Sequence, residues 1–225
     1  MTAVAARYEA VRRHVADAAD AVGRDPADVV IVAVTKTVAI DEIGKAVAAG
    51  ICDFGENRVQ EFLGKYGLFP DVRWHFIGSL QTNKVKDVVG RAHLIHSVDS
   101  QRLVEEIEHR ADQAGLVQSV LLQVNVSGES TKHGFAPAEV REALIDTSTM
   151  AHVQVEGLMT MAPYGRPEEA RWVFRELKEL RDSLREMPLN GVELDELSMG
   201  MTNDFRVAVE EGSTIVRVGR ALFGR

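Results

Sequence analysis

The sequence contains few of the residues from which cross-links and metal sites are built. Cys52 is the only cysteine, so no disulfide can form within the chain. No Cys/His cluster has the spacing of a zinc site. No Ser-x-x-Lys or Gly-x-Ser-x-Gly pattern indicates a hydrolase of those classes. We therefore expect neither a disulfide framework nor a metal centre.

Long apolar runs are also absent. None reaches the roughly 18 residues of a membrane-spanning helix, and the N-terminus has no apolar signal-peptide core. The 34 acidic residues outnumber the 26 lysines and arginines, which gives a net charge of −8 and argues against nucleic acid as the main partner. We expect a cytoplasmic protein, and a small anionic ligand remains compatible because a local site can oppose the overall field.

What the 225 residues do contain is a strict alternation of strand and helix patterns. An amphipathic helix comes first, with apolar residues at helical spacing between Val4 and Val22. The predicted strands that follow are 29–36, 52–54, 73–77, 93–98, 120–126, 153–159, 194–199 and 215–218. Such alternation implies a parallel sheet. The pattern predicts one (β/α)8 TIM-type barrel domain over residues 1–225, with an extra N-terminal helix. A doubly wound open sheet is the alternative, but it would usually have fewer strands, and no Gly-x-Gly-x-x-Gly follows the first one.

The first predicted strand, VVIVAVTK, ends in a lysine. Burying an ammonium in apolar surroundings is costly, so Lys36 is expected to reach a partner or a cavity. A desolvated lysine can attack carbonyl groups through its neutral amine. The alternative is that Lys36 simply points into solvent.

The loops after the seventh and eighth strands are the usual phosphate site of this fold. Here they carry Ser198, Gly200, Arg217, Gly219 and Arg220. A hydroxyl and backbone N–H groups beside glycines can surround a phosphate, because no Cβ blocks the approach. A phosphorylated aldehyde would fit such a site together with Lys36. Simpler interpretations are that the glycines form turns and that Arg217 pairs with a carboxylate inside the barrel.

Several segments resemble the pyridoxal phosphate homeostasis protein family, and the likeness covers nearly the whole chain. They are VAVTK at 32–36, FGENRVQE at 54–61, WHFIGSLQTNK at 74–84, SVDS at 97–100, GLMTM at 157–161, LSMGM at 197–201 and VRVGRALFG at 216–224. The resemblance implies a barrel similar to the N-terminal domain of alanine racemase that carries pyridoxal 5′-phosphate (PLP).

By this resemblance Lys36 would form the Schiff base with the PLP aldehyde, and Arg217 would face the pyridine nitrogen. Ser198 and the amides of Gly219 and Arg220 would hold the phosphate, with Gly200 in the same loop. The remaining residues in family motifs near the cofactor are Asn57, His75 and Ser79.

An arginine at the pyridine nitrogen disfavours ring protonation and so weakens the ring as an electron sink. Alanine racemase compensates with an acid/base residue from a separate C-terminal domain, whereas this sequence ends at Arg225. We therefore expect a non-catalytic PLP carrier that delivers the cofactor to apo-enzymes, and the small barrel with its richly charged helices favours a monomer. Lys132 is a speculative second lysine for transient capture, although a solvated loop charge is the simpler interpretation. The alternatives are an amino-acid racemase with His75 or a loop residue as its second base, and a barrel enzyme using Lys36 on a phosphorylated sugar.

Overall fold

The computed structural model describes residues 2–224 and shows eight parallel strands closed into a barrel in the order β1 to β8. The strands are β1 Val30–Val34, β2 Asp53–Glu56, β3 Arg73–Phe76, β4 Leu94–Val98, β5 Gln118–Gln123, β6 Val153–Met159, β7 Val192–Met201 and β8 Ile215–Val218. The ring closes where β1 pairs with β8, with Val32 beside Arg217 and Ala33 beside Val218. The predicted (β/α)8 barrel is confirmed.

Helices cover the outside of the barrel and bury the outward faces of the strands. They are α1 Ala3–Asp20, α2 Ile40–Ala48, α3 Val59–Tyr66, α4 Gln101–Ala114, α5 Val140–Thr147, α6 Arg171–Leu184, α7 Phe205–Glu210 and α8 Arg220–Phe223. Short 3-10 helices are Pro26–Asp28, Thr82–Asp87, Pro137–Glu139 and Pro167–Ala170. No helix in residues 2–224 combines the length and the apolar character needed to cross a membrane.

The extra N-terminal helix is present as predicted. Its spacing buries Val4, Val11, Val15 and Ala18 on one face, since residues three and four apart share a side of a helix. Thr2 begins the helix by accepting the backbone N–H of Ala5 at 3.3 Å.

Several sequence predictions differ from the structure, among them the fifth strand, which ends at Gln123 and not at Val126. The helix expected at residues 81–89 is a 3-10 helix, Thr82–Asp87, in which threonine, asparagine and valine are weak helix formers. The first strand ends at Val34, two residues before Lys36. The segment after β8 forms α8, where only a short tail was expected.

Inward-facing side chains fill the barrel, as in other barrels of this type. One apolar cluster of the interior consists of Val32, Leu94, Leu121, Met159 and Ile215. The interior also contains buried polar side chains, among them His75, His96, Ser198 and Arg217.

Candidate functional site

A cavity of about 520 Å³ opens at the carboxyl ends of β1, β6, β7 and β8. This is the end of a parallel barrel where the loops that follow the strands meet. Of the residues predicted to form the site, Lys36, Arg217, Gly219 and Arg220 line this cavity. The structure thus brings together the lysine after the first strand and the glycine and arginines of the last.

Lys36 lies in a tight turn and not in a buried strand. The backbone N–H of Val38 donates to the Thr35 carbonyl at 2.9 Å, and Thr37 has a left-handed φ of 60°. Lys36 is exposed, and its ammonium makes no hydrogen bond or ion pair within residues 2–224. Lys36 thus reaches the cavity, as one of the two sequence interpretations expected, and its side chain there is exposed to solvent.

An ion-pair network bonds to the backbone of this turn at Thr35 and Thr37. Lys65 Nζ donates to Glu56 Oε1 at 2.6 Å, to the Thr35 carbonyl at 2.9 Å and to Glu61 Oε2 at 3.2 Å. Glu61 also accepts the backbone N–H of Thr37 at 2.9 Å. The residues on both sides of Lys36 are therefore fixed, while its own side chain is not.

The charge on Glu61 is stabilised by these bonds. Its pKa is lowered, chiefly by the hydrogen bond from the Thr37 backbone and further by Lys65. The sequence interpretation did not find Glu56, Lys65 or Glu61 as supports of the turn. The available signal was the motif FGENRVQE, in which two carboxylates lie near the residues that follow β2.

Arg217 is the second cation of the cavity and is only 4% exposed. It donates from Nη1 to Ser198 Oγ at 2.5 Å and from Nη2 to the Thr160 carbonyl at 2.9 Å. Burial lowers the pKa of Arg217 to about 10, and the charge of Asp204 opposes that shift. The guanidinium therefore remains a cation at neutral pH and is held rigidly at the inner wall of the cavity.

Ser198 does not line the cavity. Its hydroxyl is fully buried between Arg217 and His96, whose Nδ1 lies 2.8 Å away. Gly200 is also buried, with a φ of 92°, and a Cβ there would come within 2.5 Å of the Ala208 Cβ. Its glycine identity is thus explained by packing against α7, and the geometry gives it no contact with the cavity.

The wall formed by the loops after β7 and β8 instead presents Thr202, Asn203, Gly219 and Arg220. In the part of the chain that the structure describes, the backbone N–H groups of Gly219 and Arg220 donate to no protein acceptor, as expected at the start of a helix. Arg220 donates from Nη2 to Asn203 Oδ1 at 3.2 Å, which joins the two loops. Thr202 and Asn203 were missed because sequence reasoning placed the loop hydroxyl at Ser198.

Asp204 is the one carboxylate among the residues that line this wall in the described range 2–224. Its Oδ1 accepts the backbone N–H of Met201 at 2.6 Å. Burial raises the pKa of Asp204, and the Met201 N–H and Arg217 partly oppose that shift.

Three other predicted residues lie away from the cavity. His75 is buried inside the barrel between His96 and Asp53. Asn57 is half-buried, and its Oδ1 has no hydrogen-bond partner in the described structure. Ser79 is exposed. The structure gives His75 no position from which it reaches the cavity as a base.

Lys132, the speculative capture lysine, has several partners. Its ammonium forms an ion pair with Glu129 and hydrogen bonds to Ser127 Oγ at 3.3 Å and to the Met161 carbonyl at 3.2 Å. These contacts restrain the Lys132 ammonium, partly within its own loop and partly against the segment after β6.

Comparison with known proteins identifies the family of the chain. Residues 6–225 match the family described as alanine racemase, N-terminal domain. The chain is 46% identical to the pyridoxal phosphate homeostasis protein of Aquifex aeolicus over 97% of this chain and 96% of that protein. This chain belongs to the pyridoxal phosphate homeostasis protein family.

Solved structures show the same relationship. PipY of Synechococcus elongatus PCC7942, a structure with PLP bound, is 35% identical with a TM-score of 0.85, covering 98% of this chain and all of that chain. An alanine racemase from Clostridium difficile is 15% identical with a TM-score of 0.72, covering 95% of this chain and 55% of that chain. The racemase likeness shows the shared barrel alone. Membership of the homeostasis family therefore rests on the closer relatives.

Proposed function

We propose that this protein holds PLP reversibly as a Schiff base at Lys36 and takes part in PLP homeostasis and delivery without turning over amino acids. The observation that carries the proposal is the pairing of an exposed, unbonded Lys36 with a fixed Arg217 in one cavity. An amine and a guanidinium suit a ligand with an aldehyde at one position and an acceptor atom at another.

The donor set of the cavity fits PLP. A phosphate needs several N–H donors, and the amides of Gly219 and Arg220 are free of protein acceptors in residues 2–224. Thr202 and Asn203 lie on the same wall. We assign the phosphate to these four residues. Ser198 acts indirectly, because its hydroxyl supports Arg217.

PLP supplies the reactive aldehyde, and the residues of the chain control its attachment. Because Lys36 is exposed, water or a competing amine would have access to an aldehyde held there. With the pyridine ring of PLP against Arg217, the guanidinium cation would disfavour protonation of the ring nitrogen. Both properties suit storage and transfer better than carbanion chemistry, and His75 lies too deep in the barrel to move a proton in the cavity.

The proposal is tested by the absorption spectrum of purified protein with PLP, for wild type, Lys36→Ala and the matched control Lys45→Ala. Lys45 is on α2 and pairs with Glu42 and Asp41. We expect a protein-bound PLP band in wild type and in the control, and none in Lys36→Ala. Loss of the band in both variants, or its persistence in Lys36→Ala, contradicts the assignment.

The delivery function has its own test. Protein loaded with PLP and freed of excess ligand is mixed with an apo-enzyme that requires PLP, and recovery of that enzyme's activity is followed. We expect recovery, with no racemisation of a panel of amino acids above the rate of free PLP. Lys36-dependent racemisation would establish the enzyme alternative.

A further inference from the structure

A continuous line of buried hydrogen bonds lies behind Arg217 and crosses the barrel interior. Arg217 bonds to Ser198 Oγ, which is 2.8 Å from His96 Nδ1. His96 Nε2 is 2.9 Å from His75 Nδ1, and His75 Nε2 is 3.1 Å from Asp53 Oδ1. These five residues come from five different strands, and each is at most 8% exposed.

Only one arrangement of protons satisfies every atom in this line. A guanidinium has donors and no acceptor, so Ser198 Oγ accepts from Arg217 and directs its own proton to His96 Nδ1. His96 then carries its proton on Nε2 and donates it to His75 Nδ1. His75 carries its proton on Nε2 and donates it to Asp53. Both histidines are neutral in this arrangement.

The electrostatics of the line agree with this direction. Burial lowers the pKa of His96 well below its ordinary value, and the nearby charge of Arg217 adds to the shift. At the far end Arg73 donates to Asp53 from Nε at 2.7 Å and from Nη2 at 2.6 Å. Burial raises the pKa of Asp53, but the bonds from His75 and Arg73 outweigh it and leave the pKa lowered. Asp53 is therefore an acceptor at the end of the line.

The opposite tautomer of His96 would break the line. Its Nδ1–H would then donate to Ser198 Oγ, and the hydroxyl proton would have no acceptor among residues 2–224. Leaving a buried donor without a partner is costly. The identity of residue 96 therefore decides whether Ser198 is a stable acceptor for Arg217.

We infer that His96 is a positioning residue, which keeps Ser198 as the acceptor of Arg217 and so fixes the guanidinium at the wall of the cavity. His75 and Asp53 extend the same line and set the tautomer of His96. The consequence for ligand binding rests on the proposed function, in which Arg217 faces PLP. The positioning of Arg217 itself is a property of the protein without ligand.

The first test uses ligand-free protein and nitrogen-15 NMR of its histidine and arginine side chains. We expect His75 and His96 both protonated on Nε2 alone near neutral pH, and resolved, slowly exchanging guanidinium N–H signals for Arg217. A His96 that is protonated on Nδ1, or charged, overturns the inference.

The second test compares His96→Asn with His96→Leu, two side chains of similar size. Asn presents an oxygen close to the position of the histidine Nδ1, whereas Leu presents no acceptor. The matched control is His93→Leu, because His93 packs against the His75 ring with centroids 5.5 Å apart but lies outside the line. We expect the slow Arg217 signals to persist in His96→Asn and in the control, and to be lost in His96→Leu.

We expect the PLP affinity of the same variants to change in parallel with the Arg217 N–H signals. We expect about tenfold weaker binding for His96→Leu, and a change within about threefold for His96→Asn and His93→Leu. Equal behaviour of His96→Asn and His96→Leu overturns the inference. If His96→Leu does not fold, the inference is decided by the histidine tautomers of the wild type and by the Arg217 N–H signals of His96→Asn. If wild type fails to bind PLP, the proposed function fails, and the NMR result on ligand-free protein still decides the inference.

Discussion

Lys36 and Arg217 line the same cavity, yet the protein holds them in opposite ways. Lys36 follows β1, and Arg217 lies in the neighbouring strand β8. Arg217 is 4% exposed and bonded to a serine and a carbonyl. Lys36 is exposed, and only the backbone around it is fixed. A cation that must keep one orientation toward a ligand needs rigid partners. A lysine that must form and release a bond needs a fixed backbone and a mobile ammonium group.

The supports of the two cations differ in kind as well. Beneath Lys36 the support is ionic, with Lys65 between Glu56 and Glu61. Behind Arg217 it is a line of neutral hydrogen-bonding groups that ends in a carboxylate. A carboxylate bonded directly to Arg217 would neutralise its charge, whereas the Ser198 hydroxyl accepts a hydrogen bond from it and leaves the charge available to the cavity.

The largest effect is expected from removing the free cation. After borohydride reduction and extensive dialysis, Lys36→Ala should retain no bound PLP, because no lysine remains among the described residues that line the cavity. The measurement is bound PLP per chain by absorbance. Lys132→Ala is the control, since Lys132 is held by Glu129 and Ser127, and it should retain the wild-type amount. An equal loss in the control would remove the distinction between the two lysines.

The next effect comes from removing the fixed cation. Arg217→Met leaves Ser198 Oγ and the Thr160 carbonyl without their buried donor, which should lower the free energy of unfolding by about 2–4 kcal/mol. PLP binding should weaken by about tenfold or more. Chemical denaturation and spectral titration measure the two effects.

Arg217→Lys separates charge from geometry at the same position. Lysine keeps the cation but lacks the planar fork that reaches two acceptors. We expect affinity between wild type and Arg217→Met. Affinity equal to wild type would show that charge alone matters and that the two bonds to Ser198 and Thr160 do not.

A smaller effect is expected from loosening the turn under Lys36. Glu61→Leu removes the acceptor of the Thr37 N–H and one partner of Lys65, at a cost of about 1–2 kcal/mol in unfolding free energy. The rate of PLP attachment to Lys36 should fall about threefold, because the turn no longer presents the amine in one place. Glu61→Gln retains an oxygen acceptor and should show less of both effects, as stopped-flow absorbance and denaturation would reveal.

The smallest effect is on pH dependence. The pKa values of Glu61 and Asp53 are lowered in the folded protein, so both carboxylates stabilise the fold when ionised. That contribution is complete above their unfolded pKa values of 4.5 and 3.8 and is lost as pH falls below them. Unfolding free energy should therefore decline below about pH 4.5, and less steeply in Asp53→Asn. An identical slope in that variant would contradict the role of Asp53.

The barrel was predictable from the sequence because its strands are short apolar runs separated by regular helical patterns. The run VIVAV predicts a buried strand without any tertiary information. The predicted ends of the strands were less accurate where side-chain contacts and turns determine them. Thr37 adopts a left-handed φ, and no apolar pattern marks such a residue in advance.

Part of the site was predictable for the same reason. Strand order places Lys36, Arg217, Gly219 and Arg220 at one end of the barrel, and all four line the cavity. The positions of Ser198 and His75 were harder to predict. A residue near the end of a strand points into the barrel or toward the loops, depending on the register of the strand. Their burial makes them supports of Arg217 and leaves the loop hydroxyl to Thr202.

The most direct test of the account is to reduce the PLP-loaded protein with borohydride and to map the modified peptide by mass spectrometry. The account predicts one pyridoxyl group per chain, on the peptide that contains Lys36. Modification spread over surface lysines such as Lys45, Lys84 and Lys132, or a single site elsewhere, would contradict it.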